Sequence, residues 1–234
     1  VIDGRVGAID WQAVQGELDA RGMACCRSLL TDRESGSIAA LYDEDAAFRS
    51  RVVMARHGFG KGEYRYFSYP LPPIVQDLRA SLYVRLVSIA NRWNELMGFE
   101  QRYPENHVSF LARCHAAGQV QPTPLLLRYA EGDFNCLHQD IYGEHVFPLQ
   151  AAVLLSEPHQ DFEGGEFVLT EQRPRMQSRV EVVPLRRGDL VIFAVRDRPV
   201  SGTRGIYRVK HRHGVSRLRA GRRHMLGIIF HDAQ

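Results

Sequence analysis

The sequence predicts a mainly β domain, an antiparallel sandwich or jelly roll, carried on helices that precede it. From Gln121 onward, short apolar or alternating segments follow one another between Gly, Pro and charged turns, with no helical segment between them. That pattern belongs to antiparallel strands rather than to a parallel sheet with crossover helices. Before that point apolar residues recur at spacings of three and four, the period of helices that bury one face. A chain of 234 residues, 44% hydrophobic and 24% charged, has enough apolar surface for a substantial core, which excludes a disordered chain. The expected division is residues 1–120 as helical support with a lid region and residues 121–234 as the β core, together forming one compact unit.

In chain order, "IDWQAVQGELDARG" offers Asp10 as an N-cap, Trp11, Val14 and Leu18 at helical spacing, and Gly22 as a stop. "TDRE", Thr31 to Glu34, matches a capping box ahead of "SIAALY". "RHGFGKGEYRYFSYPLP", Arg56 to Pro72, carries three closely spaced glycines followed by basic and aromatic residues and does not fit a P-loop. Its plain reading is a flexible hairpin or loop; the sharper one is a lid over a site, with Lys61, Arg65 and Tyr66 as substrate contacts. "PIVQDLRASLYVRLVSIANRWNELMG" begins with Pro73 at a helix-start position. Ile74, Leu78, Leu82, Leu86, Ile89, Trp93 and Leu96 form its stripe, Gly98 ends it, and the stripe predicts core support rather than chemistry. The strand segments are "PLLLRYA", "FPLQAAVLLS", "GEFVLT", "VEVVPL", "DLVIFAV" and "HMLGIIFH".

The formal charge of +3 is mild, and the basic residues cluster late, in "RVKHRHGVSRLRAGRRH" from Arg208 to His224. A solvated basic face is the plain reading, and an anionic substrate or nucleic acid the alternative. Cys25, Cys26, Cys114 and Cys136 show no CxxC spacing, and a vicinal pair is a poor start for a structural disulfide. They predict reduced thiols in a cytoplasmic protein. No apolar run is long enough to cross a bilayer and no signal peptide is visible, while a first residue of Val1 predicts a trimmed terminus.

"NCLHQDIYG", Asn135 to Gly143, sets His138 and Asp140 two residues apart. On an extended segment both side chains share one face. Alone, this is also the spacing of an ordinary His–Asp hydrogen bond, but a third ligand from a distant strand would complete two imidazoles and one carboxylate around an open metal position. Near the other end, "HGVSRLRAGRRHMLGIIFHD" starts at His213, with Gly221 eight residues later and Arg223 ten residues later. In this stretch the chain resembles the Fe(II)/2-oxoglutarate-dependent dioxygenases, and within them the prolyl 4-hydroxylase-like group. Three more stretches match in the same order. "RYAEGDFNCLHQD" supplies Tyr129, Gly132, His138 and Asp140; "EGGEFVL" supplies Gly164 and Gly165; "PLRRGDLVIF" supplies Pro184, Gly188, Asp189 and Phe193. The resemblance runs from about Pro124 to Asp232.

It implies a double-stranded β-helix core in which His138, Asp140 and His213 hold Fe(II) and Arg223 clamps the distal carboxylate of 2-oxoglutarate, a pairing that suits a fixed guanidinium fork. Tyr129 would hydrogen-bond the co-substrate or pack as a satisfied core tyrosine. The implied reaction consumes 2-oxoglutarate and O2, hydroxylates a C–H bond and releases succinate and CO2. Ascorbate is a candidate reductant, and the chemistry is centred on the iron with no separate protein acid or base. His211 shares a face with His213 on an extended segment, so geometry alone leaves both open; the offset to Arg223 and the intervening Gly221 favour His213. Asn135 and Tyr142 flank the ligands and would line the substrate mouth or serve the turn.

The substrate is open. The resemblance to prolyl hydroxylases implies a peptide residue or an amino-acid-like molecule. The chain also resembles a group of uncharacterised bacterial oxygenases linked to oxidative repair of alkylated DNA, so oxidative demethylation of DNA or RNA is the alternative, although the paired-arginine pattern of better-known alkylation-repair enzymes is not matched. A cupin-like module that senses a metal or 2-oxoglutarate without turnover is the third reading.

Overall fold

The computed structural model describes Ile2–Gln234; Val1, and with it the expectation of a trimmed terminus, lies outside the described residues. Two short helices open the chain, α1 (Ile2–Gly7) and α2 (Trp11–Arg21). Asp10 caps α2 by accepting from the Ala13 amide, and Gly22 closes it. Strand β1 (Met23–Cys26) follows, then α3 (Asp32–Ala40), where Thr31 and Glu34 make the reciprocal capping box. Next come β2 (Phe48–Val53), β3 (Gly60–Lys61) and β4 (Glu63–Phe67). The long helix α4 (Pro73–Leu96) starts on its proline, and α5 (His107–Ala116) is capped by Asn106.

The remaining strands are β5 (Leu125–Ala130), β6 (Phe134–His138), β7 (Leu149–Leu154), β8 (Phe162–Gly164), β9 (Phe167–Gln172), β10 (Arg179–Val183), β11 (Leu190–Ala194), β12 (Asp197–Gly202), β13 (Gly205–Val215) and β14 (Leu218–Ile228). One sheet runs β1-β11-β7-β14-β5-β4-β2, with β8 paired to β14; the other runs β10-β9-β13-β6-β3, with β12 paired to β13. Every pairing between these strands is antiparallel, and the two sheets form the expected double-stranded β-helix.

The central strands β7 and β11 of the first sheet are buried at every residue, which is why they read as near-continuous apolar runs, broken only by Gln150. Alternate residues divide between two cores. Leu190, Ile192, Leu126, Leu226 and Ile228 pack against Leu78, Leu82, Leu86 and Trp93 of α4. Val191, Phe193, Tyr129 and Met225 face inward to meet Phe167, Leu169 and Val215 of the second sheet. The expectation of a helical first half needs correcting: β1, β2 and β4 belong to the same sheet as β5, β7, β11 and β14, so continuous pairing crosses the boundary at residue 120. The Arg56–Pro72 stretch likewise departs from a free loop, since β3 pairs with β6 and β4 pairs with both β2 and β5. These strands are short and flanked by glycines, so their alternation is too brief to stand out locally.

The late basic run is two strands. On β13 the alternation leaves Arg208, Lys210 and Arg212 exposed and buries Val209, His211 and His213. Among the described residues no helix is long and apolar enough to cross a membrane.

One buried ion pair fixes α4 to the end of the β core. Arg79 and Asp232 are both fully buried at 2.8 Å, and Arg79 also donates to the Ile229 carbonyl at 2.8 Å and to Tyr69 Oη at 3.0 Å. Removing one partner of such a pair leaves an uncompensated charge, at a cost of about 3–5 kcal/mol. Arg79→Met is therefore expected to lower unfolding stability by about that amount in a denaturant titration; an unchanged midpoint would mean that the pair contributes nothing to holding α4.

Candidate active site

His138 ends β6, and His213 stands directly opposite it on β13, so the ladder register itself brings the two imidazoles together. Their ring centroids are 4.2 Å apart. Asp140 lies just past β6 and turns its buried carboxylate between them, with Oδ1 3.6 Å from His138 Nε2 and Oδ2 3.4 Å from His213 Nε2. Ligand atoms of all three residues fall within 4.8 Å of one another. His211, two residues away on the same face of β13, is not part of this group. It is buried beside Arg198, whose Nε lies 3.2 Å from its Nε2.

The donor chemistry suits a divalent metal. His138 Nδ1 is 2.8 Å from the Cys136 carbonyl, which can only accept. Nδ1 therefore carries the proton and Nε2, on the side of Asp140 and His213, keeps its lone pair. His213 is oriented by packing, between the rings of Phe193 at 4.7 Å and Phe167 at 5.9 Å. Burial and the neighbouring His138 push His213 below the ordinary imidazole range, toward the neutral form that a metal needs. Burial alone would raise Asp140, but the hydrogen bond with His213, the two imidazoles and the Tyr142 hydroxyl outweigh it and hold the carboxyl well below its usual range.

Arg223 stands on β14 opposite Tyr129 of β5, and it is 1% exposed. Its Nε and Nη1 have no hydrogen-bond partner, and Nη2 meets only the Met225 thioether at 3.1 Å. Burial pulls its pKa down to about 10, which leaves it a cation at neutral pH. A buried guanidinium without an anion is costly, so this group fits a carboxylate. Gly221 makes the local geometry possible: its φ is +79°, and a Cβ there would lie 2.1 Å from the Asp161 carbonyl oxygen. Only glycine lets β8 approach β14 at that point. Tyr129, fully buried, receives a hydrogen bond from Asn135 Nδ2 at 3.3 Å, and the Arg223 guanidinium carbon lies 5.6 Å from its ring centroid. Tyr129 and Met225, which touch Arg223, also line the cavity over the His–Asp–His group, while Arg223 itself lines a neighbouring cleft with Phe162, Gly165 and Phe167.

A cavity of about 300 Å³ opens over the group, lined among others by Phe59, Tyr64, Tyr66, Leu127, Tyr129, Asn135, Tyr142, Phe193 and Met225. Tyr66 and Tyr142, both expected as substrate contacts, are on its wall. Lys61 and Arg65 are not. Lys61 Nζ lies 3.7 Å from Asp133, and Arg65 donates to Asp45 at 2.6 Å while stacking over Tyr42. The reason is the strand: on β4, adjacent residues face opposite ways, so Tyr66 inside puts Arg65 outside. The same period brings Tyr64 inside, a wall residue that the sequence reading passed over. The signal was present in "YRY", but only for a strand.

The site and fold together define an oxygenase built on the double-stranded β-helix. Over residues 62–233 the chain matches the Oxygenase-NA family, described as an oxygenase catalysing oxidative methylation of damaged DNA, and it belongs to that family. Two uncharacterized proteins of Mycobacterium tuberculosis strains are each 47% identical over 167 residues, covering 71% of this chain and 72% of theirs. Among solved structures, a prolyl-4-hydroxylase of Pseudomonas putida is similar at TM-score 0.53 and 17% identity, over 96% of this chain and 99% of that one. A 2OG-Fe(II) oxygenase family oxidoreductase of Burkholderia pseudomallei gives 0.55 and 15%, over 97% and 94%. A Trichoplax adhaerens prolyl hydroxylase, in complex with a hypoxia inducible factor peptide fragment, gives 0.56 and 15%, over 96% and 94%. At these identities the likeness is one of fold.

Proposed function

We propose that this oxygenase is an Fe(II)- and 2-oxoglutarate-dependent dioxygenase, with His138, Asp140 and His213 holding the metal and Arg223 gripping the far carboxylate of the keto acid. The observation that carries this reading is the pairing of two features: a carboxylate set between two imidazoles at the cavity, and, against Tyr129 and Met225 of the cavity wall, a buried guanidinium with two nitrogens unpartnered. When bound, iron and the keto acid would supply the oxidation, consuming O2 and 2-oxoglutarate and yielding CO2, succinate and a hydroxylated substrate. The chain's own residues bind, orient and exclude water. Phe167 and Phe193 pack against His213, and Tyr129 walls the cavity with its hydroxyl tied to Asn135. No protein acid–base pair is required.

For the substrate, the family's description favours an alkylated nucleobase, and the cavity supports that choice. Its walls carry Phe59, Tyr64 and Tyr66 and no Lys or Arg among the described residues, which suits a flat neutral ring stacked on aromatic faces. Hydroxylation of an N-methyl group would then release formaldehyde and the free base. A peptide residue is the second reading, because the exposed Phe59 and Leu137 give the mouth an apolar rim that fits an uncharged backbone. Succinate release tests the two. A methylated single-stranded oligonucleotide is expected to stimulate it, with stimulation falling steeply between low and moderate salt as phosphate contacts weaken. Stimulation by a peptide instead, insensitive to salt, would reverse the order of the readings, and 2-oxoglutarate binding without any turnover would favour a sensing module.

A further inference from the structure

Asp140 is the ligand the sheet does not hold. It lies beyond the end of β6, where no ladder fixes it, and its carboxylate must be aimed by other contacts. Tyr142, expected as a substrate contact, has its hydroxyl already committed: it donates to Asp140 Oδ1 at 2.8 Å and receives the Tyr66 hydroxyl at 3.2 Å. The segment carrying both residues is clamped from the other side by Gln119, which is fully buried just past α5. Gln119 Nε2 donates to the Tyr142 carbonyl at 3.1 Å and the Asp232 carbonyl at 2.6 Å, while its Oε1 accepts from the His145 amide at 2.7 Å. Gly143 seals this clamp, with φ +79° and room for no Cβ, which would lie 2.4 Å from Gln119 Cδ. Each member of the group therefore has its own orienting partner: a carbonyl for His138, aromatic rings for His213 and a phenol for Asp140.

We infer that Tyr142 is a positioning residue that occupies one oxygen of Asp140 and leaves Oδ2, 3.4 Å from His213 Nε2, as the oxygen offered to a metal, with Tyr66 holding Tyr142 in turn. This rests on the proposed reading of the group as a metal centre. A carboxylate whose Oδ1 is engaged by a phenol binds through one atom rather than two, which keeps further coordination positions open for co-substrate and O2. It also makes Tyr142 unavailable as a direct hydrogen-bond donor to substrate.

The probe is Co(II), titrated into the metal-free full chain, because its visible bands report both affinity and coordination geometry. Tyr142→Phe keeps the ring and removes the hydrogen bond; it is expected to weaken Co(II) binding about 10- to 100-fold and to alter the bands, with an unfolding midpoint near that of the wild type. Tyr66→Phe is expected to give a smaller loss, under about 10-fold, and carries the test if Tyr142→Phe fails to fold. Wild-type affinity and bands in both variants, with only substrate-stimulated turnover reduced, would overturn the inference and return Tyr142 to the substrate. Absence of Co(II) binding in the wild type would overturn the metal reading itself, a separate outcome.

Discussion

Arg223→Ala is expected to weaken 2-oxoglutarate binding by about 100-fold or more while leaving metal affinity within a few-fold of the wild type. The magnitude follows from truncating one side of a buried, charge-assisted pair, which costs about 2–5 kcal/mol, with each 1.4 kcal/mol a factor of ten. Metal binding should survive because the guanidinium makes no contact with His138, Asp140 or His213; its neighbours are Met225, Tyr129 and Phe162. Arg223→Lys should recover only part of the loss, since an ammonium keeps the charge but not the two-pronged geometry. The same substitutions should cost little stability, because the packing lost around this buried side chain is offset by relief of a buried cation whose Nε and Nη1 have no partner. Wild-type keto-acid affinity in Arg223→Ala would mean that the co-substrate lies elsewhere.

The second large effect separates two histidines on one strand face. His213→Ala removes a proposed ligand and is expected to lower Fe(II) affinity by more than about 100-fold, beyond what loss of an outer hydrogen-bond partner does. His211→Ala should leave iron binding near the wild type and cost stability instead. His211 is fully buried against Arg198, which also pairs with Glu171 at 2.7 Å, so its removal leaves both a cavity and a disturbed polar cluster, at about 2–3 kcal/mol. Comparable losses of iron affinity in the two variants, measured at a temperature where both remain folded, would undo the assignment of His213.

How legible these features were depends on how local their causes are. Caps and terminators act within one turn of helix, and Asp10, the Thr31–Glu34 box and Pro73 mark the helices they were expected to mark. The His138–Asp140 spacing and the His213–Arg223 offset are also short-range patterns, and the fold brings the first three together because His213 pairs in register with His138. What could not be read locally was set by partners far along the chain. The sidedness of Arg65 and Tyr66 depends on β4 being a strand, and β4 is a strand because β5 lies beside it, some sixty residues on. Gln119 had no visible role, since its contacts to Tyr142, His145 and Asp232 exist only once α5 packs on the β core. The basic run shows the same limit. Its charge predicted a face, but the period of two on β13 divides it into exposed Lys and Arg and buried His.

The most direct test of the central claim is an anaerobic titration of the metal-free protein with Fe(II) and then 2-oxoglutarate, followed by visible absorption. The proposed centre predicts a charge-transfer band on adding the keto acid, because chelation through its keto and carboxylate oxygens needs the open positions that a two-His, one-Asp site leaves. Iron binding with no band at saturating 2-oxoglutarate would contradict the dioxygenase reading and leave a metal site of another kind.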